Sequence, residues 1–162
     1  MHRSLVGVAL ALGLALTLAG CAGSSETAGP PFAQAAATLP PVPPGESRIF
    51  FYRWVQPYEL QAPTTVSLNG KPTGISWVGT TFYRDVPPGT YHITVFSPGA
   101  YPNQFKTVTV AAGSTLYVRI QPMIDWSRLQ CNDHCEIDTF AVMLDDQQSA
   151  RQQMLPLTLI RG

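Results

Sequence analysis

Ser47-Arg48-Ile49-Phe50-Phe51-Tyr52-Arg53-Trp54-Val55 is the segment that decides the fold. Its β-branched and aromatic residues favour a pleated, packed strand over a helix. Side chains alternate across a strand, so Phe50, Tyr52 and Trp54 share one face while Ile49, Phe51 and Val55 share the other. With both faces apolar, the strand belongs in the middle of a sheet covered on both sides, with the C-terminal segment as one cover. Gln56-Pro57 ends it.

Downstream the same grammar repeats. Thr64 to Leu68 alternates and runs into Asn69-Gly70, the pair best suited to a type I′ turn because both central residues need a positive φ. Lys71 to Trp77 is the return strand. Pro72 cannot donate to a ladder, which puts that strand on an edge. Thr80 to Val86 is followed by Pro87-Pro88-Gly89, read as a type II turn, and Tyr91 to Phe96 comes back with Tyr91, Ile93 and Val95 on one face. A further hairpin is expected around Ala112-Gly113, joining Phe105–Ala111 to Ser114–Gln121, with Val108, Val110, Leu116, Val118 and Ile120 inward. Thr139 to Leu144 is a last strand. Asp145-Asp146 is placed to cap a short helix through Met154, ended by Pro156. The expectation is an all-β fold: one antiparallel sandwich of about seven or eight strands joined by hairpin turns, with a short C-terminal helix.

Composition agrees. The 162 residues include 15 prolines, 13 glycines and only 12% charged residues, a balance suited to turn-rich β structure. Ten basic residues face ten acidic ones, so there is no electrostatic case for a nucleic-acid partner.

Ahead of this domain, Arg3 precedes an apolar run from Leu5 to Leu18 that ends in Leu18-Ala19-Gly20-Cys21. A basic start, a short apolar core and small residues before the cut are the layout of a secretory signal peptide, and the run is short of the ~20 residues a spanning helix needs. Leu-Ala-Gly-Cys resembles a bacterial lipobox. The resemblance implies diacylglycerol on the Cys21 sulfur, cleavage before it and acylation of the new amine. Two or three acyl chains, at ~0.8 kcal/mol per buried methylene, hold a protein to a bilayer for life. Ala22 stands where Asp would signal retention at the inner membrane, which favours the periplasmic face of the outer membrane. Residues 1–20 are thus read as leader, 21–45 as lipidated N-terminus and disordered Pro/Ala-rich linker, and 46–162 as the sandwich domain. Polyproline extension at ~3.1 Å per residue would give that linker a reach of roughly 70 Å.

Together, Arg48-Ile49-Phe50-Phe51-Tyr52-Arg53, Val66-Ser67-Leu68-Asn69-Gly70-Lys71 with Gly74, Phe82-Tyr83-Arg84-Asp85-Val86-Pro87-Pro88-Gly89-Thr90-Tyr91 and Ala112-Gly113-Ser114-Thr115-Leu116-Tyr117-Val118 resemble the bacterial lipoprotein domain of unknown function 2846. The hairpin grammar is also similar to PEGA-type and transthyretin-like sandwiches. The likeness covers about Ser47 to Val118 and implies fold and location, with no catalytic residue to carry over.

Local chemistry is sparse. With Cys21 acylated, Cys131 and Cys135 remain, and an oxidising compartment favours their disulfide. Closing so small a loop stabilises by only ~2 kcal/mol, so the bridge would shape a loop. Two alternatives stay open: a metal site using both thiolates with His134 or Asp133, although no second ligand pair accompanies Cys-x3-Cys, and a redox dithiol. Gly74-Ile75-Ser76-Trp77-Val78 lacks the second glycine of a nucleophile elbow, and His92 reads as an exposed strand residue. No catalytic residue, metal or cofactor is assigned, and the chain is read as a non-enzyme. Trp54, Trp77, Tyr101 and Trp126 lie near strand ends or loops. Exposed as a row they could stack on sugars, peptidoglycan included, or anchor an envelope protein; otherwise they plug the sandwich. The expected function is a membrane-anchored interaction or structural module of the cell envelope, with glycan binding and metal or redox chemistry as the other readings.

Overall fold

The computed structural model describes residues 27–56, 62–97, 104–123 and 139–162. The fold is mostly β, in two facing sheets. In chain order the elements are a one-turn helix α1 (Phe32–Ala35) running into a 3-10 turn (Ala36–Thr38), β1 (Ser47–Arg53), β2 (Thr64–Leu68), β3 (Lys71–Ser76), β4 (Thr80–Val86), β5 (Gly89–Val95), β6 (Phe105–Val110), β7 (Thr115–Met123), β8 (Thr139–Asp145), helix α2 (Gln147–Met154) and β9 (Thr158–Leu159). One sheet has the order β8-β7-β1-β4-β9 and the other β3-β2-β5-β6.

β1 is the central strand of the larger sheet, and every one of its residues is buried. Ile49 and Phe51 point into the space between the sheets, where Phe51 stacks on Phe82 at 5.0 Å alongside Val66, Ile93, Val118, Ile120 and Val142. Phe50 and Tyr52 face the other way into a second core, closed by Ala150 and Met154 of α2, Leu157 and Phe32. Two-sided burial is what the uninterrupted apolar run required. Val55 does not belong to the inner face, however. The strand stops at Arg53, and Val55 is 69% exposed. The inward position is taken by Arg53, fully buried, with its guanidinium donating to the Ala62 carbonyl at 2.8 Å and lying 4.7 Å from the Phe140 ring. Hydrogen bonding and a ring face make burial of that cation tolerable.

The larger sheet is mixed, which corrects the antiparallel expectation, while the smaller one is antiparallel throughout. β1 pairs in parallel with β7, and β4 with β9; the other pairings are antiparallel. The Asn69-Gly70 hairpin forms, with φ of 49° and 75°, and Pro72 lies on the edge strand β3, next to a register shift at Val66/Ser67. Two other expected hairpins are crossings between sheets. At Pro87-Pro88 the chain leaves the larger sheet, and Gly89 pairs with Val110 in the smaller one, without the positive φ that a type II turn demands. Around Ala112-Gly113 the chain passes back from β6 to β7. Inward alternation is the same for a hairpin and for a crossing, and this is why Val108, Val110, Val118 and Ile120 are core residues in either case, with Leu116 packed beside them.

A larger correction concerns the linker. Residues from Gly29 to Pro40 do not form a free spacer; they lie as a strap over the edge of the larger sheet. Phe32 N–H donates to Leu157 O at 2.7 Å, Ala33 N–H to Leu155 O at 3.2 Å, and Leu159 N–H to Pro30 O at 2.9 Å. Phe32, the lone aromatic in that stretch, is 5% exposed and meets Phe50 edge-on at 5.6 Å. Among the described residues no helix is long and apolar enough to cross a membrane.

Candidate functional site

The strap forms one wall of a cleft. Pro30 presents its carbonyl to Leu159 N–H of β9, Pro31 bridges to Thr158 while its own carbonyl accepts from Gln34 and Ala35 N–H, and neither proline has an N–H, so they close the sheet edge without offering a new one. Gly29 passes so close that a Cβ would lie 1.9 Å from the Leu159 carbonyl oxygen. Beyond the 3-10 turn, Thr38 Oγ1 donates to Ala35 O at 3.1 Å, and Pro40 O accepts from Arg48 Nη1 at 2.9 Å. These two ends hold the strap at both sides of a gap. Across the gap, β9 pairs only with Thr80 and Thr81 of β4, and Ile160 N–H to Thr81 O is the last bond of that ladder. Farther along β4, the strap and the tail Ile160–Gly162 leave between them a cleft of about 770 Å³.

Its walls are largely apolar on the strap side, with Ala35, Leu39 and Pro40, and continue through Leu159 and Ile160; Thr38, Tyr83, Arg84 and Arg161 are the polar residues. Among the described residues no Asp or Glu side chain lines it. Arg84 shares a face of β4 with Phe82, its charge centre 5.6 Å from that ring; Nη2 reaches across to the smaller sheet and donates to Thr73 O, while Nη1 donates to Tyr83 O of its own strand at 2.9 Å. Gly162 packs tightly here: a Cβ would fall 2.4 Å from Phe82 Cδ2 and 2.5 Å from Arg84 Nη1.

The arginines of the larger sheet differ in a way that matters. Arg48 is gripped by both carboxylate oxygens of Asp85 at 2.7 Å, and Arg119 by Asp145 at 2.7 and 3.2 Å. Those hydrogen bonds raise both guanidinium pKa values against the opposing effect of burial. Arg84 has no such partner among the described residues, and burial alone pulls its pKa down. Among the described residues its charge is met by the carbonyl dipoles of Thr73 and Tyr83 and by the Phe82 ring.

A second polar cluster sits under α2. Asp145 accepts from Arg119 and from the Tyr52 hydroxyl, which also lies 2.8 Å from the Gln153 amide, and the Arg119 guanidinium rests 5.1 Å over the Trp54 ring. Burial and the bond to Asp145 push the Tyr52 phenol well above its usual pKa. Burial raises the Asp145 carboxyl, but the bonds from Arg119 and Tyr52 outweigh it and the net shift is downward. The cluster ties β1, β7, β8 and α2 together, and its charges are mutually satisfied. Asp146, next in sequence, caps α2 by accepting from Gln148 and Ser149 N–H at 3.0 Å.

Trp54 and Trp77 are both partly buried, Trp54 against the core under α2 and Trp77 against the core between the sheets. They lie in different cores and make no common row. Tyr101, Trp126, Cys21, Cys131 and Cys135 lie outside the described residues. The aromatics that are exposed on the smaller sheet are Phe96 and Phe105, the latter against His92 at 4.9 Å. Ser76 is buried at the end of β3 with no helix after it, so the partial elbow is a strand end. The cleft has no continuous signature in the sequence. Tyr83 and Arg84 read as ordinary strand residues, and the one clue to its other wall was Phe32, a large apolar side chain in a stretch otherwise fit for disorder.

No family model matches the chain, and no curated protein matches it.

Proposed function

We propose that the chain is a lipid-anchored lipoprotein whose β domain is a non-enzymatic interaction module of the cell envelope, held through acylated Cys21 at the periplasmic face of the outer membrane and akin to the domain of unknown function 2846. The observation that carries this reading is the lipobox at Leu18–Cys21 followed, only eight residues on, by docked Gly29. Eight extended residues span at most about 25–30 Å. With the strap docked, the tether is less than half the length that the free linker would have had, and the strap side of the domain is held next to the bilayer. Partners are then met at the membrane surface.

The glycan reading loses support from Trp54 and Trp77, which share no exposed face. The disulfide, metal and redox readings of Cys131 and Cys135 rest on the sequence alone.

Expression of the full chain in a bacterial host supplied with labelled palmitate tests the anchor. The expected result is label in the wild type, none in Cys21→Ser, and a processed N-terminus that begins at Cys21. An unlabelled wild type, or a cut that leaves Cys21 inside a longer mature chain, would overturn the proposal.

A further inference from the structure

The strap cleft has the composition of a ligand site more than of a packing defect. Two cations, Arg84 and Arg161, line it without any acidic side chain, and neither has an ion pair among the described residues. Arg84 spends one N–H on Tyr83 O and one on Thr73 O. A guanidinium has five, so about three remain for another acceptor. Arg161 makes no hydrogen bond among the described residues, nor does the Tyr83 hydroxyl. Arg48 over the Tyr83 ring at 4.1 Å adds positive field behind it, even though Asp85 offsets most of that charge.

Thr38 and the backbone of Gly29 and Gly162 also line it, and the remaining side chains are aliphatic, chiefly Ala35, Leu39, Pro40, Leu159 and Ile160. A volume of about 770 Å³ lies within the range of roughly 300–1,000 Å³ typical of small-molecule sites. Elsewhere on the larger sheet the paired Asp85 and Asp145 show what a guanidinium takes in this protein when one is in reach, a two-oxygen acid group held at 2.7 Å. In the cleft a guanidinium is presented and, among the described residues, no acidic side chain answers it.

We propose that this cleft binds a small amphipathic anion, a carboxylate or phosphate head on a compact apolar body, with the head on Arg84, Arg161 and the Tyr83 hydroxyl and the body against Leu39, Leu159 and Ile160. Planar forked donors suit both acid groups. The site is independent of the anchor and would function whether or not Cys21 is acylated.

The test is calorimetric titration of the full chain in phosphatidylcholine nanodiscs, with empty discs as the blank. Hexanoate and hexyl phosphate carry head and body together; acetate and inorganic phosphate carry the head, and hexanol the body. The expected result is one saturable site for hexanoate or hexyl phosphate, with the part-probes at least about tenfold weaker. Preference for one of the two heads decides which acid the site takes. Arg84→Gln and Arg161→Gln are each expected to weaken binding about tenfold or more, the typical effect of losing a charge-assisted hydrogen bond. Arg84 also braces the two sheets, so Ala28→Trp is the second variant: Ala28 is exposed on the cleft wall, and the indole should fill the space without touching either core. Equal affinity for hexanoate and acetate, heat that follows the empty discs, or hexanoate binding unchanged in both Arg161→Gln and Ala28→Trp would overturn the proposal.

Discussion

Truncating Phe32 to alanine separates a docked strap from a passive linker. The ring is 5% exposed, set edge-on against Phe50 at 5.6 Å and packed with Met154, Leu157 and Ala150. Loss of a buried phenylalanine side chain from a core typically costs about 3–5 kcal/mol, combining lost transfer energy with the cavity left behind. Here the chain has a cheaper response than unfolding. Gly29–Pro40 precedes β1 and can peel off as a unit, giving up Phe32 N–H to Leu157 O, Ala33 N–H to Leu155 O and Leu159 N–H to Pro30 O while both sheets persist. The penalty should therefore appear as local opening. At about 1.4 kcal/mol per factor of ten, a loss near 3 kcal/mol raises the open population by roughly 100-fold. Hydrogen exchange read residue by residue is the assay. The amides of Phe32, Ala33 and Leu159 should exchange about 100-fold faster in Phe32→Ala, while those of Phe51 and Val118 in the inter-sheet core change far less. Wild-type amides of Phe32 and Leu159 exchanging at free-peptide rates, or a change below about threefold in the variant, would refute the docked strap and with it the short tether.

Gly29→Ala should release the same segment by a different route, because its Cβ would meet the Leu159 carbonyl oxygen at 1.9 Å, and that oxygen belongs to backbone that cannot turn aside as a flexible side chain could. The Leu159 amide should lose protection with little change in the urea midpoint of the sheets. Acid should weaken the contact between α2 and the larger sheet. Asp145 has a pKa below its unfolded value, so its contribution is present at neutral pH, above the unfolded value near 3.9, and is lost as pH falls through the folded one. Urea midpoints measured from pH 7 to pH 3 should fall, and Asp145→Asn should make the fall shallower while lowering the pH 7 midpoint. An Asp145→Asn curve parallel to wild type would show that the Tyr52–Asp145–Arg119 cluster does not stabilise the fold.

Local chemistry was enough to place most strands. Asn69-Gly70 tolerates positive φ at both positions, so the β2–β3 hairpin needed no tertiary information. Pro72 marked an edge for the same kind of reason, a missing N–H. The two-sided burial of Ile49 to Tyr52 followed from alternation, since no single covered face could hide both sets. Asp146 as a cap was legible from its position before a polar, helix-tolerant run.

Whether a turn folds back or crosses between sheets was not legible. Inward alternation is identical in both cases, and only the pairing of Gly89 with Val110 and of Ser47–Arg53 with both β4 and β7 decides it. The cleft belongs to the same class of information. Arg84 lies 44 residues from Pro40 and 77 from Arg161, so no sequence window contains both walls. By itself the sequence determined a mostly β domain behind a lipobox-like leader pattern, because periodicity, turn chemistry and composition act within a few residues. Tertiary structure alone decided that Phe32 fastens the supposed linker to the sheet and that Arg84 meets no acid among the described residues, because both depend on what distant segments bring alongside.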